Sequence, residues 1–178
     1  MLATLDLDRL LLVVANDPWQ KSPLRHVTPA ADRLALTEAL AEGIPGAEAS
    51  GLEIDRGGPS YTVMTVEQIR HDASAAGLPA PELYLVVGAD LVPELDTWER
   101  AGDLQRLVTL AVVSRPTPWR THPPVPPGWR SLSVDGPQVD VSSSEVRAAL
   151  ARGEAIDDLV PAEVVRCIRR RTLYAVGR

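Results

Sequence analysis

Four stretches of the chain carry residue types that can bind anions, donate and accept hydrogen bonds, or stack on a planar ring. Val141-Ser142-Ser143-Ser144-Glu145-Val146-Arg147 has a serine and a glutamate at the spacing of a capping box, so an extended segment should run straight into a helix N-terminus there. The first amides of a helix lack intrahelical acceptors and lie at the positive end of its dipole, which makes such an end an anion site. Hydroxyls at Ser143 and Ser144 add donors, and Arg147 can add a charge-assisted contact to a phosphate. The same pattern also describes an ordinary capped helix with a surface arginine. Gly88-Ala89-Asp90 follows the apolar run Leu83–Val87. A glycine there lets a ligand approach the backbone, and Asp90 can accept from ribose hydroxyls or serve as a helix cap. Trp98 offers a ring that stacks on a planar heterocycle or fills a core. Ser60-Tyr61-Thr62, after the Gly57-Gly58 pair, offers amides and hydroxyls to a small polar group, although Thr62 suits a helix start equally well.

A fifth stretch stands out by composition. The chain has one lysine, Lys21, one asparagine, Asn16, and no phenylalanine, a bias that suits a GC-rich gene. Both singletons fall within Asn16-Asp17-Pro18-Trp19-Gln20-Lys21, and that clustering hints at chemistry. The histidines, His26, His71 and His122, read as solvated surface residues. Cys167, between Val164 and Ile168, reads as core rather than nucleophile. Arg169-Arg170-Arg171 reads as a solvated helix end favoured by the dipole.

The elements that position these residues follow from apolar periodicity. Leu10–Ala15 is apolar throughout and reads as a strand buried on both faces, as in a parallel sheet. Thr28-Pro29 should cap a helix running to about Glu42, with Ala31, Leu34 and Leu40 inward. Leu52-Glu53-Ile54 reads as a brief strand and Arg56–Pro59 as a turn. Val63, Val66, Ile69 and Ala73 predict a helix that stops near Gly77. Leu83–Val87 and Val108–Val113 are further buried strands, with a helical region holding Trp98, Leu104 and Leu107 between them. Residues 114–130, rich in proline, form a surface loop. Val139–Val141 is the last strand, followed by a helix that stops near Gly153 and a final helix from Pro161 with Val164, Val165 and Ile168 inward. Strands alternating with helices predict a single α/β domain with a mostly parallel sheet. The net charge is −6 and the pI about 5.1, which argues against a nucleic-acid binder while leaving room for a local anion pocket. Leu10–Ala15 is far too short to span a bilayer and no basic stretch precedes it, so no membrane segment or signal peptide is expected. A single cysteine precludes an internal disulfide and fits a reducing cytoplasm.

Taken in order, these pieces resemble the nicotinate-mononucleotide adenylyltransferases over nearly the whole chain. Pro18-Trp19-Gln20-Lys21 is similar to that family's Pro-x-x-Lys segment, and Arg56–Thr62 to its Arg-x-Gly-x-Ser-Tyr-Thr. Gly88-Ala89-Asp90 followed by Trp98 is similar to its Gly-x-Asp and downstream tryptophan, and Ser142–Arg147 to its Ser-Ser-Thr-x-x-Arg. Leu159–Tyr174 resembles its closing helix. Ser144 keeps the hydroxyl of a usual threonine, and Met64 replaces a common aspartate.

The resemblance implies a Rossmann-like nucleotidyltransferase fold that joins nicotinate mononucleotide and ATP into nicotinate adenine dinucleotide and pyrophosphate, with Mg²⁺ on the ATP phosphates. It implies that Ser142, Ser143, Ser144 and Arg147 hold ATP phosphates, that Gly88 and Asp90 hold its nucleoside, that Trp98 stacks on the pyridine with Tyr61 and Thr62 nearby, and that Lys21 meets a substrate phosphate. The family opens with a strand, a Gly-rich turn and a His-x-Gly-His motif. Met1–Leu7 resembles the tail of the helix that follows, and the sequence contains no His-x-Gly-His. The expectation is therefore an N-terminally incomplete domain, without its first strand or its catalytic histidines and without turnover of its own. The competing readings are an inactive nucleotide-binding remnant, or a sister enzyme acting on nicotinamide mononucleotide or phosphopantetheine. Ser60-Tyr61-Thr62 and Trp98 favour a pyridine over a pantetheine arm.

Overall fold

The computed structural model describes residues 2–18, 27–114, 124–136 and 141–174. The chain forms two compact units, Met1–Pro59 with Val139–Arg178, and Ser60–Gln138.

In the first unit a short helix, α1 (Leu2–Leu5), precedes β1 (Leu10–Val13), which pairs in parallel with β2 (Ala47–Ser50). Parallel strands need a crossover, supplied here by α2 (Ala30–Ala41). β2 corrects the expected strand at Leu52–Ile54. Ala47-Glu48-Ala49-Ser50 contains no β-branched or aromatic residue, so its extended state comes from pairing with the all-apolar β1 rather than from local preference. Leu52–Ile54 instead belong to α3 (Leu52–Arg56). After α3, Gly57 and Gly58 adopt φ of +70° and +69°, two successive left-handed positions that only glycine takes without strain.

The start of α2 also differs from expectation. Its N-cap is Pro29, without a side-chain bond, and the Thr28 hydroxyl pairs with Tyr174 OH at 3.0 Å instead. The buried positions of α2 are Ala39 and Ala41, whereas Ala31 and Leu40 are exposed. Alanine and leucine surround this helix, so more than one stripe satisfies a 3.6-residue period, and packing against β2 and the last helix selects one. That helix, α7 (Ala162–Arg170), packs with α6 (Ser143–Ala151) through Val146, Ala149, Ile156, Val165 and Ile168, and Leu36 of α2 closes the cluster. Val165 and Ile168 point inward as the spacing predicts. Cys167 is buried, with its thiol 3.5 Å from Ala35 O, a core position.

The second unit holds a parallel sheet in the order β3 (Tyr84–Gly88), β4 (Thr109–Ser114), β5 (Ser131–Asp135). Helix α4 (Thr62–Ala75) ends before Gly77, which takes φ of +70° as a terminator should. The expected helical region divides into a 3-10 helix, Ala89–Thr97, and α5 (Ala101–Leu107), with Trp98 between them. Val63, Val66, Val87, Leu95, Leu104 and Leu110 form the core. β5 was not expected, and the strand expected at Val139–Val141 falls mostly outside the described residues. Val139 and Asp140 lie outside the described residues, and Val141 is not in a strand. Ser131-Leu132-Ser133-Val134-Asp135 alternates cleanly but has two apolar residues, and it follows a proline-rich segment that masks a strand signal. Every strand pair among the described residues is parallel, and the α/β class stands.

Leu104 is fully buried, whereas Leu78 is 61% exposed. Leu104→Ala is therefore expected to lower unfolding free energy by about 3 kcal/mol, with Leu78→Ala within about 0.5, as read from urea denaturation midpoints. Equal effects would contradict this core assignment.

Candidate functional site

The N-terminus of α6 is built by a closed capping box. Ser142 is the N-cap: its Oγ accepts from the Glu145 amide at 3.2 Å, and the Ser142 amide donates to Glu145 Oε2 at 2.7 Å. The Val146 amide takes the Ser142 carbonyl. This leaves the amides of Ser143 and Ser144 without an acceptor among the described residues, at the positive end of the helix. The three serines thus divide. Ser142 is committed to the cap through its oxygen, and Ser143 and Ser144 face outward. Arg147, three residues on, donates from Nη2 to Ser144 Oγ at 3.3 Å, which sets its guanidinium on the same side of the helix.

Ser142, Ser143 and Arg147 line a cavity of about 610 Å³ within the first unit. Val13 and Val14 at the carboxyl end of β1 form one side, Arg33 of α2 another, and Ser142, Ser143 and Arg147 a third. Among the described residues neither Arg33 nor Arg147 has a carboxylate within ion-pair distance, so two cationic groups face one cavity in a chain of net charge −6. A second cavity of about 620 Å³, beside β2, is lined by Glu38, Glu42 and Glu48 and would repel phosphate. Arg33 carried no signal in the sequence, where it is one arginine of many on an alanine-rich helix.

In the second unit, β3 ends at Gly88. The Asp90 side chain folds back over it, and a methyl group built on Gly88 would collide with Asp90 Oδ1. The N-cap of the 3-10 helix is Gly88, so Asp90 is not the cap; it stands exposed in the first turn. Trp98 is half-buried against the core cluster, and its indole N–H is buried with no acceptor among the described residues. Tyr61 packs against the same cluster and occupies the N-cap position of α4, with Thr62 its first residue. Neither makes a side-chain cap, and Met64 is exposed. Trp129, not anticipated, is buried and donates from its indole to Asp96 Oδ1 at 3.2 Å. His71 is exposed on α4. Lys21, His26 and His122 lie outside the described residues. Among the described residues no cluster of three His, Cys, Asp or Glu side chains could hold a metal, and no helix is long and apolar enough to cross a membrane.

The Ser142 hydroxyl and amide hold the Glu145 carboxyl below its usual range. A depressed carboxyl stabilises the fold above its unfolded pKa, and the contribution disappears as pH falls through the lower folded value. Ser142→Ala is expected to cost about 1 kcal/mol at pH 7. The stability gap between wild type and Glu145→Ala should narrow as pH falls below about 4.3, as followed by thermal melts across pH. A gap that widens on acidification would contradict the capping-box geometry.

Residues 1–149 match the family model described as cytidylyltransferase-like. A Streptomyces coelicolor protein named as a probable nicotinate-nucleotide adenylyltransferase is 37% identical over 172 residues, covering 97% of this chain and 88% of that protein. A Corynebacterium kroppenstedtii protein of the same name is 36% identical over 169 residues, covering 94% and 77%. Among solved structures, the Plasmodium falciparum nicotinic acid mononucleotide adenylyltransferase complexed with NaAD superposes with a TM-score of 0.71 at 14% identity, covering 94% of this chain and 83% of that one, a likeness of fold. The chain belongs to the nicotinate-nucleotide adenylyltransferases, within the cytidylyltransferase-like family.

Proposed function

We propose that this chain serves adenylyl transfer from ATP to nicotinate mononucleotide in NAD synthesis. In that reaction a phosphate oxygen of the mononucleotide attacks the α-phosphorus of ATP, the bond to the bridging oxygen breaks, and pyrophosphate leaves. The observation that carries the reading is the N-terminus of α6, where Ser143 and Arg147 line a cavity whose arginines have no carboxylate partner among the described residues. Such a constellation binds phosphates by fixed donors and charge, which is the main contribution a protein makes to phosphoryl transfer. The names of the relatives supply the substrate class.

On this reading Ser143, Ser144 and Arg147 take ATP phosphates, with Ser142 holding the helix end in place. Gly88 and Asp90 take the nucleoside. Trp98 stacks on the pyridine, with Tyr61 and Thr62 beside it, and Lys21 meets a substrate phosphate. The buried indole N–H of Trp98, without an acceptor among the described residues, supports a ligand role, because a core tryptophan ordinarily finds one. The donors at α6 are amides, hydroxyls and a guanidinium, which fit phosphate oxygens and not a cation. Mg²⁺ would therefore be carried by the ATP phosphates, where it neutralises charge when bound. The lone Cys167 suits a cytoplasmic protein.

The second reading is a nucleotide-binding protein without turnover. Titration calorimetry with nicotinate mononucleotide and with MgATP tests binding, and pyrophosphate release tests turnover. Binding of both nucleotides is expected, with nicotinamide mononucleotide as the competitor that sets acid against amide. Turnover by residues 1–178 supports the first reading, and binding of both nucleotides without turnover supports the second. Binding of neither nucleotide would overturn both readings, and robust turnover by these residues alone would locate the catalytic group among them, with His26 the first to replace.

Two variants separate the roles. Trp98→Ala is expected to weaken the mononucleotide by roughly tenfold or more, the scale of a lost stacking partner, and to leave ATP nearly unchanged. Arg147→Ala is expected to weaken ATP by a similar factor while the melting temperature holds, because a surface arginine contributes little to folding. An unchanged mononucleotide affinity in Trp98→Ala, or a lower melting temperature with unchanged ATP affinity in Arg147→Ala, would return each residue to a structural role.

A further inference from the structure

Asn16 is the only asparagine of the chain, and the phosphate chemistry above does not use it. Its surroundings give it a different task. The last ladder bond of β1 runs from the Val14 amide to Ser50 O, so the carbonyls of Ala15 and Asn16 pass beyond the sheet with no strand beside them. Arg33 of α2 takes both. Its Nη1 donates to Ala15 O at 2.5 Å and its Nη2 to Asn16 O at 3.0 Å, while Nε donates to Thr28 O at 2.9 Å, just before α2 begins. One planar guanidinium thus ties the exit of β1 to the start of α2. The constraint continues through Asn16, whose Nδ2 donates to Gly58 O at 3.0 Å, and through a parallel bridge that pairs Asp17 with Pro59. Gly58 is the second of the two left-handed glycines.

We infer that Arg33 and Asn16 are positioning residues, a two-step brace that fixes the Gly57–Gly58 turn relative to the end of β1 so that the backbone of this turn is presented correctly to the pyridine nucleotide. The inference rests on the substrate reading above, and neither residue is assigned a ligand contact. The residue types are demanding. A lysine ammonium has no planar fork to meet three carbonyls held on two separate segments. An aspartate at position 16 would set a carboxylate oxygen against the Gly58 carbonyl, acceptor against acceptor, with almost no change of shape. Burial holds the Arg33 guanidinium below its usual pKa, consistent with a side chain enclosed by the backbone it binds. The carboxyl ends of parallel strands are where α/β folds present their ligand-binding turns, so geometry lost here is felt at the ligand before it is felt in the core.

The test compares wild type, Asn16→Asp, Arg33→Lys and, as a purely structural control, Val165→Ala in the α7 core. Each is measured for affinity toward nicotinate mononucleotide and toward ATP, for melting temperature, and for amide exchange by peptide. Asn16→Asp is expected to weaken the mononucleotide by roughly tenfold and to change ATP by no more than about twofold, and Arg33→Lys, which keeps its charge toward the α6 cavity, to weaken the mononucleotide by a similar factor. Exchange should quicken in peptides covering residues 14–18 and 52–60 while α7 stays protected. The control should lower the melting temperature without separating the two ligands. Equal weakening of both nucleotides in step with lost stability, or full mononucleotide affinity in Asn16→Asp, would overturn the inference. If wild type binds neither nucleotide, the substrate reading fails, and exchange still decides the brace: quickening confined to those two segments supports it, and quickening spread over the unit overturns it.

Discussion

A parallel strand that leaves its sheet carries backbone carbonyls and amides that no neighbouring strand can satisfy, and much of the chemistry of this protein sits where those groups are satisfied in other ways. After β1 the carbonyls of Ala15 and Asn16 are met by the Arg33 guanidinium. After β3 the chain turns at Gly88 directly into a 3-10 helix, with the Asp90 carboxylate folded over the glycine. At α6 the obligation is inverted: a helix start leaves amides over, the capping box consumes some, and Ser143 and Ser144 keep theirs. Each solution places polar groups outside the apolar interior of its unit, so ligand groups can meet them without disturbing packing.

Charge follows the same local logic. The chain as a whole is acidic, and the wall beside β2 with Glu38, Glu42 and Glu48 reflects that. The cavity at α6 does not. Many of the other described arginines are paired: Arg9 with Glu48, Arg100 with Glu67 and Asp103, Arg152 with Glu154, Arg171 with Asp32. Exposed pairs of this kind contribute little to stability, but they quench positive charge over the surface. Arg33 spends its donors on neutral carbonyls and Arg147 on a hydroxyl, so both retain their charge toward the cavity. A modest number of unquenched cations can thus focus an anion in a protein whose net charge would repel it.

The sequence disclosed most where local chemistry and tertiary structure agree. Ser142 and Glu145 at capping-box spacing announced the start of α6, Gly77 the end of α4, and the Leu83–Val87 run the course of β3, because each is a local rule that packing did not contradict. It misled where a partner decides. Ala47–Ser50 becomes a strand only beside β1, and Thr28 gives up a cap for the Tyr174 hydroxyl far along the chain. The inward face of α2 was illegible because alanine and leucine ring the whole helix. Within the site, the singular Asn16 was conspicuous by composition, but its target, the Gly58 carbonyl, is a backbone atom with no sequence signature. Arg33 was hidden for the same reason, since three carbonyls from two segments leave no pattern in the residues that carry them.

The serine triplet shows why such sites resist reading by type alone. Three adjacent hydroxyl residues look equivalent in sequence, yet the helix start separates them by geometry. Ser142 sits with φ of −114° and ψ of 150°, extended, so that its oxygen turns back to the Glu145 amide. Ser143 and Ser144 are already helical, and their own amides have no acceptor among the described residues. Replacing the first would loosen the platform; replacing either of the others would remove a donor from a platform still standing. The division comes from the handedness and hydrogen-bond offset of the α-helix, which always leaves its first amides over. Within this segment, then, the residue that secures the fold and those offered to phosphate are neighbours, and the boundary between stability and function falls between Ser142 and Ser143.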